Sequence, residues 1–88
     1  FDAVVCPTTP ITAPPIAELV ASDEAFFQAN GRLLRNTFVF NFLDGCAFTL
    51  PCQAPGALPV GLMLGAPGGH DAALAGVALA VEAALAAG

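Results

Sequence analysis

Apolar residues recur along the chain in two rhythms. Short continuous or alternating runs mark strands, and longer stripes at helical spacing mark helices. Ala3 to Cys6 is a four-residue apolar run with two valines, stopped by Pro7-Thr8-Thr9-Pro10. Such a run predicts an internal strand of a parallel or mixed sheet, because proline cannot continue a ladder. Pro10, Pro14 and Pro15 hold the residues that follow extended and non-helical.

Ser22 then offers a helix N-cap, with Asp23 and Glu24 placing negative charge in the first turn. Phe26, Ala29, Leu33 and Leu34 fall on one face of that helix, and Gly31 weakens its middle. Arg32 and Arg35 are expected near its carboxyl end. Asn36 or Thr37 can cap a second, short helix over Phe38 to Asp44, ended by Gly45 in a left-handed cap.

Ala47 to Leu50 reads as a second strand closed by Pro51, and Val60 to Leu64 as a third. The loop between them is too short for a parallel crossover, so the two should pair antiparallel. Gly61 and Gly65 leave room for something to pack closely on that third strand. After the turn Pro67-Gly68-Gly69, Asp71 is expected to cap a last helix. Its buried face is Leu74, Val77, Ala78, Val81 and Leu85. The expected fold class is α/β, in the order strand, helix, helix, strand, strand, helix.

Composition changes this picture in one respect. Hydrophobic residues make up 57% of the 88 residues and charged residues 10%, whereas a small domain ordinarily carries about a quarter charged residues. There is too little polar surface to close a small globule. The expectation is a fragment, residues 1–88 being part of a larger fold rather than an independent domain. The alternative is a non-catalytic interaction module that homodimerises through its apolar surface.

The net charge of −5, with Arg32 and Arg35 as the strong cations, excludes a nucleic-acid footprint and attraction to anionic lipid. Residues 72–87 are apolar all round but short of the roughly 20 needed to span a bilayer. They predict a buried helix and no membrane partner. Cys6, Cys46 and Cys52 are odd in number and irregular in spacing. That predicts free thiols in a reducing, cytoplasmic compartment rather than a disulfide framework. No CxxC pair accompanies His70, so a metal site through Cys46, Cys52 and His70 is not expected.

Candidate chemistry is sparse. Ser22 is the single serine, there is no lysine or tyrosine, and His70 is the one base that titrates near neutrality. The cysteines lie in apolar runs, where a thiol is inert. No catalytic residue is therefore expected within the chain, and no cofactor. Several polar residues have two open roles. The loop Pro7 to Pro10 leaves a strand at its carboxyl end, where open α/β sheets place ligand sites, or it is an ordinary connection. Arg35 complements a helix dipole or points into a pocket and holds a carboxylate or carbonyl. Asn41, one amide in a greasy run, ties down the following turn or orients a substrate. Gly68-Gly69-His70 before a helix hints at an anion site that no phosphate-binding pattern supports.

Taken in order, FDAVVCPTTP, RNTFVFNFLDGCAFTLPC and LPVGLMLGAP with a final alanine-rich helix resemble the carboxyl-terminal part of the amidase signature family. The likeness leans toward its bacterial amidases and the carboxybiuret-hydrolase-like branch. It implies a large mixed sheet between helical layers and hydrolysis of carboxamide C–N bonds. It also implies a Ser–Ser–Lys triad upstream of these residues. The partners implied are the amino-terminal remainder of the amidase and a small-molecule amide, with a homo-oligomer possible. The substrate-binding residues implied are Thr8, Thr9, Asn36, Thr37 and Asn41.

Overall fold

A computed structural model of the chain describes residues 1–87. Strand β1 (Val4–Pro7) leads to a short helix α1 (Ile16–Leu19) and a long helix α2 (Asp23–Phe42). Strands β2 (Cys46–Pro51) and β3 (Gly61–Ala66) follow, and helix α3 (Asp71–Ala87) ends the chain. The sheet has the order β1-β3-β2 and is antiparallel at both pairings. Val4 faces Gly65 and Pro7 faces Leu62, while Cys46 faces Ala66 and Pro51 faces Gly61. The α/β class and the antiparallel β2–β3 pair agree with the sequence. The internal position expected for β1 does not hold within this chain, where β1 is an edge strand.

Residues on a strand alternate between faces. Thr8, Thr49, Gly61, Met63 and Gly65 therefore share one face, and Leu50, Leu64 and Ala66 the other. Helix α3 covers the second face. Its Leu74 and Ala78 close a core with Leu50, Leu64 and Ala66, and Leu64 and Leu74 are almost wholly buried. Val77 and Val81 are half-buried as the spacing predicts, but Leu85 is exposed. Asp71 is not the cap of α3. The His70 carbonyl accepts from the Leu74 N–H at 2.8 Å, which puts His70 at that position and Asp71 in the first turn.

Helix α2 departs most from expectation. The Ser22 cap is as predicted, its hydroxyl accepting from the Ala25 N–H at 3.0 Å. No second helix starts at Asn36 or Thr37, because α2 runs unbroken through both. A break there would orphan four N–H and four C=O groups, which a single Asn or Thr cap cannot satisfy. Thr37 instead gives its hydroxyl to the Leu34 carbonyl inside the helix, at 3.2 Å. Arg32 and Arg35 consequently lie mid-helix, with no basic residue in the last turn. The helix closes in a Schellman motif. Gly45 N–H donates to the Phe40 carbonyl at 2.9 Å and Asp44 N–H to the Asn41 carbonyl at 3.3 Å. The left-handed residue is Asp44, at φ 58°, and not Gly45.

Gly45 is required for another reason: a Cβ there would stand 2.8 Å from the Ala66 carbonyl oxygen. Helix α1 also went unpredicted. Pro15 has the φ of −60° that suits a helix start, so the prolines launch a turn of helix as well as interrupting one.

The molecule is a thin slab, 43 × 33 × 15 Å, with a radius of gyration of 14.9 Å. A compact domain of this length has a radius of about 12 Å. It exposes 6208 Å², against roughly 4800 Å² for a folded monomer of this mass. The excess is apolar in character. No residue of α2 is buried, and Phe27, Phe38, Phe42 and Leu43 are each at least 60% exposed.

Candidate functional site

The carboxyl end of β1 and the middle of α2 meet at one corner of the sheet. Asn36, half-buried on α2, donates through Nδ2 to the Pro7 carbonyl at 2.8 Å. The Arg35 Nε lies 3.4 Å from Asn36 Oδ1 and steadies the amide from its other side. Four residues further on, Phe40 lies against Gly65, where a Cβ would enter its ring. The Pro7 contact and the bare Gly65 together seat α2 on the sheet.

Beyond Pro7, the Thr8 N–H donates to the Gly61 carbonyl at 3.0 Å, extending the β1–β3 ladder by one rung. The Thr8 and Thr49 hydroxyls are hydrogen-bonded to each other across β3. Both occupy the space of an absent side chain: a Cβ on Gly61 would stand 2.6 Å from the Thr49 oxygen and 2.7 Å from that of Thr8. Thr9 turns its hydroxyl back to the Ile11 carbonyl at 2.9 Å, pinning the proline-rich loop. Gln53 accepts from the Val60 N–H at 3.2 Å and holds the β2–β3 loop. A cleft of about 290 Å³ opens here, lined by Thr8, Thr9, Thr49, Gln53, Val60 and Gly61 with two prolines.

Of the five predicted site residues, Thr8, Thr9 and Asn36 gather around the end of β1. Thr37 and Asn41, one helical turn apart, lie on the next stripe of α2. Thr37 is half-buried with its hydroxyl committed to Leu34, and Asn41 is exposed rather than buried. Thr49, Gln53 and Gly61 escaped sequence reasoning as site residues. A threonine in a strand carries no signal until the register names its neighbour.

A second polar cluster stands at the other end of β3, about 16 Å of strand away. There the Pro67 carbonyl accepts from the Cys46 thiol at 3.5 Å and the His70 N–H at 3.2 Å, with His70 Nδ1 at 3.1 Å. The N–H of His70 thus turns inward to Pro67, and this turn forms no anion cradle. Partial burial, and then the Asp71 carboxylate, push the Cys46 thiol above its ordinary range. A protonated thiol is no nucleophile. Cys52 is exposed, not packed in apolar surroundings. Cys46 and Cys52 flank β2 at opposite ends, so with His70 they do not converge on a metal.

What the cleft at this corner offers is hydroxyl and amide hydrogen bonding, with the Arg35 guanidinium set behind Asn36 and outside its lining. No nucleophile–base pair stands there. No helix among the described residues is long and apolar enough to cross a membrane.

Comparison with other proteins bears on what the corner belongs to. The chain is 36% identical over 83 residues to 2-amino-5-chloromuconic acid deaminase of Comamonas testosteroni, matching 93% of this chain and 18% of that one. It is 42% identical over 85 residues to the A subunit of the glutamyl-tRNA(Gln) amidotransferase of Streptomyces avermitilis, at 94% and 16% coverage. The Acidothermus cellulolyticus counterpart of that protein matches at 36% over 86 residues, 96% of this chain and 16% of that one. No family model and no solved structure matches. The chain thus spans less than a fifth of the length of these relatives, in their carboxyl-terminal part. The homologues that this chain matches almost end to end are members of the amidase signature family.

Proposed function

We propose that residues 1–88 are the carboxyl-terminal segment of an amidase and form no independent domain. In this reading the longer polypeptide cleaves carboxamide C–N bonds with a Ser–Ser–Lys triad carried upstream. This segment supplies sheet, core and one wall of the acyl pocket. The observation that carries the reading is the near-complete match of this chain to a small carboxyl-terminal part of much longer relatives. The chain's own chemistry supports it, since Ser22 is used as a helix cap and lysine is absent. The slab shape supports it too: an unburied α2 and an excess of roughly 1400 Å² of surface call for a covering layer. The partners are then the amino-terminal remainder of the polypeptide and a small neutral amide. Thr8, Thr9 and Asn36 are the pocket residues best placed, with Thr37 and Asn41 at its margin.

The test is ammonia release from simple carboxamides by the longer polypeptide and by the 88 residues alone. Turnover is expected from the first only, and from the second after mixing with the missing part. Turnover by the isolated segment would refute the assignment. The same exposed apolar face favours a second reading, a homodimerising module without catalysis. A stable, monodisperse dimer of the isolated segment, strongly protected from hydrogen exchange, would establish that reading instead.

A further inference from the structure

The hydroxyl pair across β3 deepens this reading and rests on it. Thr8 and Thr49 come from strands that are not neighbours, and they meet only because β3 lies between them with Gly61 at the crossing point. Any side chain on Gly61 would part the two oxygens. Two hydroxyls carry two protons. One is used in the bond between them, and the other is left to donate. Thr9 and the carbonyl oxygen of Gln53 are already committed to backbone partners. The spare O–H therefore faces a cleft whose described wall carries no formal charge. Such a wall suits an uncharged acceptor, since a bare ion would lose its hydration without a counter-charge.

We propose that Thr49 is a positioning residue. Through its hydrogen bond to Thr8 it aims one hydroxyl proton at an uncharged oxygen acceptor of the amide substrate.

The experiment uses the longer polypeptide and a neutral carboxamide that it turns over. Wild-type turnover tests the amidase assignment by itself, whatever the variants do. Thr49→Val keeps the shape and removes the hydroxyl. It should raise KM about threefold to tenfold, the weight of one net hydrogen bond, with kcat within about twofold. Thr49→Ser restores the hydroxyl and should restore KM. Gly61→Ala should reproduce the KM defect by parting the pair. An unchanged KM in Thr49→Val, or a Thr49→Ser variant as defective as the valine one, would overturn the proposal, provided the melting temperatures match wild type.

Discussion

Replacing Gly65 with alanine probes the joint between α2 and the sheet directly. The added Cβ would lie within the ring of Phe40. Phe40 sits on a helix anchored at Asn36 by its bond to Pro7 and at its end by the Schellman motif. To make room the ring must swing aside or the last turns of α2 must lift. Overpacking of this kind costs about 1–3 kcal/mol. An opposing term is small: alanine is favoured over glycine in a strand by roughly 0.5–1 kcal/mol through backbone entropy. With Phe40→Ala in the background the clash is gone and that term remains alone. Gly65→Ala should then be neutral or mildly stabilising. The double-mutant cycle should return a coupling of about 1–3 kcal/mol, the clash alone, because the entropy term is common to both backgrounds and cancels. Urea unfolding of the four variants of the longer polypeptide, followed by circular dichroism, measures it. A coupling below about 0.5 kcal/mol, the usual scatter for independent sites, would show that Phe40 does not seat α2 on Gly65.

Asp44→Gly should stabilise the end of α2 by up to about 1 kcal/mol, because a residue with a Cβ is strained at φ 58°; an unchanged or lowered urea midpoint would contradict the Schellman assignment. Asn36→Leu removes the 2.8 Å tie to Pro7 and should cost about 0.5–1.5 kcal/mol, the net worth of one hydrogen bond, read again from the urea midpoint. The Cys46 thiol, raised by its partial burial and by Asp71, should be half-alkylated at a higher pH than cysteine in the unfolded chain. Asp71→Asn should bring that midpoint down. Mass spectrometry after iodoacetamide pulses across pH resolves the site, and a midpoint indifferent to Asp71 would remove the carboxylate as a cause.

Much of this architecture was legible in the residues alone, because the signals involved are local. Apolar runs bounded by proline marked β1, β2 and β3 to within a residue or two. Ser22 announced the start of α2, the short β2–β3 connection dictated an antiparallel pair, and Leu74 and Ala78 declared the buried stripe of α3. The apolar excess was equally plain, and it reappears as a slab with a naked helix.

What only the tertiary structure decided concerns contacts between residues far apart in the chain. Asn36 and Thr37 carry the chemistry of a cap, yet the Pro7 carbonyl, 29 positions away, claims the Asn36 amide and the helix runs on. Gly45 looked like the left-handed residue because glycine bears that conformation at least cost. The packing of Ala66 against Gly45 needed the glycine there more, leaving the strained position to Asp44. Thr8 and Thr49 became a pair only when β3 was laid between their strands with Gly61 at the crossing. A sequence encodes which backbone states its residues tolerate. Which of two tolerable states prevails is set by the partner that folding brings to the side chain.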